Sequence, residues 1–527
     1  MKLGRRTVLR SAAFAPGLAL PGIARSKSKT TLRFIPVIDL AFLDPIYSPA
    51  QVSRNHGFMV FDTLYGIDRN LEVSPQMVEG HRVGDDGKRW DLRLRDGLFW
   101  HDGERVLARD CVASIRRWSR RDAFGDALMK AADELSAPDD RTIRFRLKRP
   151  FPLLPMALGK AAVPACFMMP ERLANTDPAQ LIPEVIGSGP FRFKADERMP
   201  GALNVYERFD RYKPRESGTA DWTAGPKVVH YDRIEWTTTP DAASGAAAVE
   251  AGEQDWMENA PYDLLPILTR KRNLAVEVLD KMGYCCSLRV NHLHPPFDNP
   301  AVRRALWGAL DQSDFMTAVT GGDPAYQTTP IGFFCPETPM ASDVGLGTLS
   351  GPRDYEKVKR DLKAAGYNGE KVVVLVPMDS QALRPLGNVA ADMLRRAGMN
   401  VDFVGLSFGA VTARRARKEA PENGGWSAFA SNGQGMDWLD PGGSVALRAD
   451  GNYIGWAKSK RIESLRDRWL ATGDLGEQKR ICTEIQAAAF EETPFYPIGQ
   501  YRQATVYRKT ITGVGRGTAT FWNVRPA

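Results

Sequence analysis

A chain of 527 residues, 43% of them hydrophobic and 25% charged, is too long for one hydrophobic core, so two or three domains are expected. Its 71 Lys and Arg against 63 Asp and Glu give a net charge of +8. Both signs are interspersed and no dense basic run carries interleaved aromatics, which argues against nucleic acid as a partner. No segment beyond the N-terminus holds the roughly 18 apolar residues of a membrane helix.

Residues 1–24 read as an export signal rather than as part of a fold. Lys2 and the pair Arg5-Arg6 precede an apolar stretch from Ser11 to Leu20, and Gly22-Ile23-Ala24 supplies a small-x-small cleavage site. Adjacent arginines before Val8-Leu9 mark a twin-arginine signal, so a periplasmic location is expected. Pro16, Gly17, Pro21 and Gly22 interrupt any spanning helix, and no cysteine follows that would carry a lipid anchor. Cleavage after Ala24 removes four cations and no acid, leaving +4.

Strands and helices then alternate along the chain. Residues 31–37 read as a strand leading into a Pro/Asp-rich segment, 39–49. Trp90, Leu92 and Leu94 alternate with charged residues, as in a half-buried strand. Asp96-Gly97 and Asp102-Gly103 are turns around a short expected strand, 98–101, followed by a helix over 109–117. Residues 140–147 alternate again. Asn299 caps a helix over 299–310 that has Pro300 in its first turn. A helix over 354–365 ends at Gly366. An apolar strand at 371–376, a helix at 388–397 stopped by Gly398 and a strand at 401–404 form a crossover unit, which predicts parallel pairing in an open α/β sheet. Two helices, 461–470 and 477–490, lie near the end.

The residues offer no catalytic set. Gly187-Ser188-Gly189 runs into Pro190 and a strand, unlike a nucleophile elbow. Gly321-Gly322-Asp323 lacks the Gly-Lys-Ser/Thr of a phosphate loop. His292-x-His294 has no further ligands to complete a zinc site, so no metal and no cofactor is expected. Six cysteines form no CxxC pair, and buried thiols and one or two disulfides both stay open.

Several blocks in order carry a family resemblance. They are Phe61-Asp62-Thr63-Leu64-Tyr65, Asp85-Asp86-Gly87-Lys88, Leu92-Arg93-Leu94-Arg95-Asp96-Gly97, Trp100-His101-Asp102-Gly103 and Ala108-Arg109-Asp110-Cys111-Val112-Ala113-Ser114. Then come Gly187-Ser188-Gly189-Pro190-Phe191, and Asn291 with Pro295-Pro296-Phe297-Asp298-Asn299-Pro300-Ala301-Val302-Arg303-Arg304-Ala305-Leu306. Ala364-Ala365-Gly366-Tyr367 and Asp440-Pro441 follow, and Gln312 stands where the family usually has arginine. The chain resembles the family 5 extracellular solute-binding proteins, the oligopeptide, dipeptide and nickel binders of ABC importers. The resemblance implies a periplasmic-binding-protein-like two-lobe α/β fold (type II, cluster C), with an extra domain inserted in the first lobe. The implied division is signal 1–24, first lobe 27–66, inserted subdomain 67–185, first lobe again 186–286, second lobe 287–490 and a return to the first lobe at 491–527. It further implies no enzymatic activity, a monomer, and two partners: a small solute, possibly a di- or oligopeptide, and the permease subunits. Most of these landmarks are scaffold. Other solutes (an opine, a sugar oligomer, a nickel chelate) and an exported hydrolase with an unrecognised carboxylate pair remain alternatives.

Peptide-binding members of the family hold the ligand's amino group with an acid three positions before the acid of an acid–proline pair. That resemblance points to Asp437, three before Asp440-Pro441. A buried ammonium needs such a carboxylate. Asn432 belongs to the same stretch, and Trp438 and Trp426 are candidates for the pocket wall. Arg384, between the apolar strand and its crossover helix, is a candidate for gripping a ligand carboxylate. Segment 39–49 is a further candidate for lining the cleft.

Overall fold

The computed structural model describes residues 30–527; the signal at 1–24 lies outside the described residues. Strand Thr31–Ile35 sits in the middle of a seven-stranded sheet. It pairs in parallel with Arg233–Thr237 on one side and Trp256–Met257 on the other. Antiparallel strands extend the sheet both ways, Leu203–Arg208 and Phe191–Phe193 at one edge, Thr505–Arg508 and Leu274–Glu277 at the other. Aromatic packing holds its face: Phe34 lies edge-on to Trp256 and Phe521, with ring centroids 4.8 and 4.9 Å away. The C-terminal tail thus returns to the first sheet.

The second sheet has six strands in the order Gln327–Thr328, Tyr496–Tyr501, Tyr284–Val290, Ala428–Gln434, Lys371–Pro377, Asn400–Leu406. Its crossover unit is the one expected: Lys371–Pro377 and Asn400–Leu406 pair in parallel around helix Leu383–Arg396. Val372, Val373, Val374, Leu375 and Val376 are all buried, as in a strand covered on both faces. The helix begins five residues earlier than expected, because Pro385 sits in its first turn, where no N–H partner is needed. Gly387 lets it lie close: a Cβ there would sit 2.8 Å from the Val376 methyls.

The chain passes between the two sheets twice. One crossing, residues 278–283, joins Leu274–Glu277 to Tyr284–Val290; the other, 502–504, joins Tyr496–Tyr501 to Thr505–Arg508. The expected boundary at 286/287 falls inside strand Tyr284–Val290, and that at 490/491 precedes strand Tyr496–Tyr501 of the second sheet. A separate four-stranded antiparallel sheet, Val78–Gly84, Arg89–Leu94, Thr142–Leu147 and Ala132–Ser136, carries helices Ala108–Ser119 and Ala123–Ala131.

Two local expectations change. Residues 98–101 form no strand; the turns at both ends leave only a single bridge, Phe99 to Arg105. The helix after Asn299 is α-helical over Pro300–Ala305 and tightens to a 3-10 turn over Leu306–Ala309. All six cysteines are buried free thiols.

The landmark residues form scaffold contacts. The His101 ring spans the Gly187-Ser188-Gly189 turn, with Nε2 3.0 Å from the Gly189 carbonyl and Nδ1 accepting from the Gly187 N–H. Glycine is needed there, since a Cβ on Gly187 would lie 2.0 Å from the Val60 carbonyl oxygen. Arg303 donates to the carbonyls of Phe297, Asp298 and Glu492, and Gln312 donates to those of Ile331 and Pro497. His292 and His294 face the carbonyls of Pro494 and Lys418.

Candidate functional site

A cleft open to solvent, with about 440 Å³ of space between its walls, lies beside the two crossings. Residues from both lobes line it, among them Gln51, Glu258, Asp280, Tyr284, Gln434 and Thr518. Helix Gln51–Val60 contributes Gln51 to it, and Arg54 and Asn55 stand on the same helix face one turn further on. Gln51 Nε2 donates to Glu258 Oε1 at 2.9 Å and Asn55 Nδ2 to the same atom at 2.8 Å. Glu258 also accepts the Val37 N–H at 3.0 Å. Glu258 and Val37 both stand just past the C-terminal ends of parallel strands, where open α/β sheets place ligands. Burial raises the Glu258 pKa, against the hydrogen bonds from Val37, Asn55 and Gln51 and the charge of Arg54. Burial also pushes Asp280 up to about 6.

Arg54 is 1% exposed and reaches across between the lobes. Its Nη1 donates to Gln434 Oε1 and contacts Met436 Sδ; its Nη2 donates to Thr518 Oγ1 at 2.6 Å and Asn55 Oδ1 at 3.3 Å. Tyr284 donates its hydroxyl to Gln51 Oε1, a second side-chain bridge between the lobes.

Asp437 sits in the 3-10 turn Gly435–Trp438, where three parts of the chain meet. It is partly buried. Its carboxylate accepts the Gln434 N–H at 3.2 Å and, from the region carrying the four-stranded sheet, the Val163 N–H at 3.3 Å. Burial raises its pKa, and the charges of Arg54 and Lys160 act against that. Lys160 is buried in an ion pair with Asp122, and with Asp440 it lines a second cavity of about 390 Å³.

The other expected site residues divide. Asn432 lies two residues before Gln434 in the same strand and donates to the Tyr501 hydroxyl at 2.7 Å. Trp438 is packed in the core, edge-on to Phe495 at 5.3 Å. Trp426 is fully buried, donates to the Arg415 carbonyl at 3.0 Å and packs on Phe429 and Trp456. Arg384 is exposed at the start of its helix and, like Asp437, Asn432, Trp438 and Trp426, lines neither cavity. In segment 39–49, Asp44 is committed to a fully buried ion pair with Arg117, 2.7 Å. Sequence reasoning missed Arg54, Glu258, Asp280 and Lys160. The signal for Glu258 was present: an acid directly after the apolar pair Trp256-Met257 at a strand end.

Two α/β lobes, joined by two crossings and meeting over a polar cavity, define a hinged ligand receptor of the periplasmic-binding-protein fold. The profile described as "Bacterial extracellular solute-binding proteins, family 5 Middle" matches residues 72–454. The chain belongs to that family. It is 34% identical over 537 residues, covering all of both chains, to a probable peptide ABC transporter periplasmic-binding protein of Sinorhizobium fredii. It is 25% identical over 488 residues to the glutathione-binding protein of Salmonella typhi, covering 89% of each. Among solved structures, it resembles a Helicobacter pylori periplasmic binding protein in complex with the peptide STSA, with a TM-score of 0.78, 20% identity and coverage of 94% and 98%. A second is an Agrobacterium tumefaciens binding protein in complex with agropinic acid, with a TM-score of 0.76, 21% identity and coverage of 94% and 99%. At these identities the structural likeness establishes the fold.

Proposed function

We propose that the chain is the periplasmic receptor of an ABC importer, enclosing a small peptide-like solute between its lobes and delivering it to a membrane permease. The supporting observation is Asp437. It is a partly buried carboxylate at the meeting point of three parts of the chain, and its hydrogen-bond donors are main-chain N–H groups. Such a carboxylate is suited to a ligand ammonium, which gains a charged partner out of water. Asn432 and the aromatic Trp438 would shape the surroundings of that amine. Export through the twin-arginine signal, a monomeric state and a lobe division at the two crossings complete the proposal. The relatives' names, a peptide receptor and a glutathione receptor, support a ligand of this class.

The test is calorimetric titration with tripeptides whose N-terminus is free or acetylated. The free amine should bind and the acetylated form should not, with no peptide consumed. Equal binding of both would remove Asp437 as the amine anchor, and turnover of the peptide would replace the receptor with a hydrolase.

A further inference from the structure

Strand Tyr284–Val290 carries two adjacent cysteines near its start, and strand alternation sends their side chains to opposite faces. Cys285 shares its face with Gln500, its ladder partner on strand Tyr496–Tyr501. Gln500 Nε2 donates to the Met282 carbonyl and to Glu337 Oε2, both at 2.7 Å, and reaches Cys335 Sγ at 3.5 Å. Cys335 therefore sits over the face that carries Cys285. The two thiols are hydrogen-bonded to each other, and both residues are fully buried. Among the described residues no such bond joins any other two cysteines.

The pair stands at the root of both crossings. Cys335 Sγ contacts the Met282 carbonyl of the first crossing at 3.8 Å. Two residues on, Glu337 pairs with Arg502 of the second crossing at 2.6 Å, and Arg502 Nε donates to the Lys281 carbonyl of the first at 2.8 Å. Segment 335–337 is thus where the second lobe grips both crossings. The pair also lies directly behind the cleft wall. A Cβ on Gly435 would sit 2.8 Å from Cys335 Sγ, and Gly435 donates its N–H at 2.7 Å to the carbonyl of Gly283, which lines the cleft. The bond to Cys285 and then burial raise the Cys335 pKa, and burial raises that of Cys285, so both thiols stay protonated while the pair is covered.

We propose that Cys285 and Cys335 are a redox pair, closed to a disulfide by a disulfide oxidant and reopened by a thiol. One cysteine, uncovered from the cleft side and relieved of its proton when the crossings move, attacks the oxidant's S–S bond, and half of the oxidant leaves as a thiol. The second cysteine gives up its proton and displaces the other half, which leaves as a second thiol. Two protein S–H groups are oxidised to one S–S bond, and the oxidant's S–S bond is reduced to two S–H groups. The new bond fastens the start of strand Tyr284–Val290 to segment 335–337 and so stiffens the second lobe's hold on both crossings. The export reading enters only as the source of oxidant, since thiols persist in reducing compartments and join in oxidising ones; the identity of the ligand plays no part.

The test incubates the native full chain with hydroxyethyl disulfide, alkylates the remaining thiols in denaturant and maps the peptides without reduction. The chain should lose the mass of two hydrogen atoms and yield one cross-linked peptide pair holding Cys285 and Cys335, with Cys111, Cys166, Cys286 and Cys482 alkylated. The linked protein should melt at a higher temperature than the reduced one, because the link constrains the unfolded chain, and dithiothreitol should abolish the difference. Cys335→Ser should show neither link nor shift. No link, a mixed disulfide alone, or a link through any other cysteine overturns the pair. Equal melting of linked and reduced protein overturns the fastening of the crossings. Should Cys335→Ser not fold, the wild-type peptide map decides. A purified chain that links, beside protein that is reduced when recovered from its host, supports the pair and counts against export alone.

Discussion

Tyr284 and Tyr501 stack with ring centroids 5.0 Å apart and an interplanar angle of 12°, one at each of the two strand ends where the chain crosses between lobes. The stack fixes the crossings side by side. From it, hydrogen bonds run outward to Gln51 through the Tyr284 hydroxyl and to Asn432 through that of Tyr501. The first of these joins the lobes, so separating them would break it. Tyr284→Phe keeps the stack and removes that bond. Ligand affinity should fall by roughly 2- to 10-fold, the equivalent of one net hydrogen bond, with the fold unchanged by circular dichroism. Titration calorimetry checks it; an unaltered affinity would mean that the bond persists in the open form.

Asp437→Asn removes the charge and keeps the shape. Loss of a buried partner for an ammonium should weaken binding by about 2–5 kcal/mol, because the ligand's charge is then enclosed without compensation. Unchanged affinity for the physiological ligand would take Asp437 out of the site.

Asp280 carries a pH signature. Burial raises its pKa from 3.8 to about 6. The folded state therefore binds a proton that the unfolded chain has lost, and the neutral acid's contribution, complete below about pH 4, disappears as the pH rises through 6. Asp280→Asn should raise the melting temperature at pH 7–8 and leave it unchanged near pH 4. Calorimetric scans at the two pH values decide, and equal effects at both would show that Asp280 ionises freely.

Asp44 and Arg117 tie segment 39–49 to helix Ala108–Ser119. Both side chains are 1% exposed, and Asp44 also accepts the N–H groups of Ile46, Tyr47 and Ile182. Asp44→Ala leaves a buried guanidinium unpaired and should cost about 3–5 kcal/mol. Denaturant melts measure this, and a loss below about 1 kcal/mol would class the pair with exposed ones.

Much of the scaffold was legible because local chemistry dictates it. The run Val372–Val376 and Gly398 just past the helix specify a crossover unit with no knowledge of the partner strand, although the helix start at Leu383 went unread. For the proposed site, the sequence carried a motif only at Asp437. Arg54 sits in helix Gln51–Val60, which no sequence motif marked; its side-chain partners Gln434 and Thr518 lie 380 and 464 residues away. Arg384 failed to reach a cavity for a related reason. The crossover unit was read correctly but Arg384 lies inside its helix, and the cleft opens beside the two crossings, on segments too short and irregular for any periodicity to flag.

Native mass spectrometry of protein recovered from its host's periplasm tests most directly whether this chain encloses a peptide-like solute between its lobes. One ligand per chain is expected, amine-bearing and peptide-sized, and absent from Asp437→Asn prepared in the same way. An adduct without an amine, retained undiminished by Asp437→Asn, would contradict it.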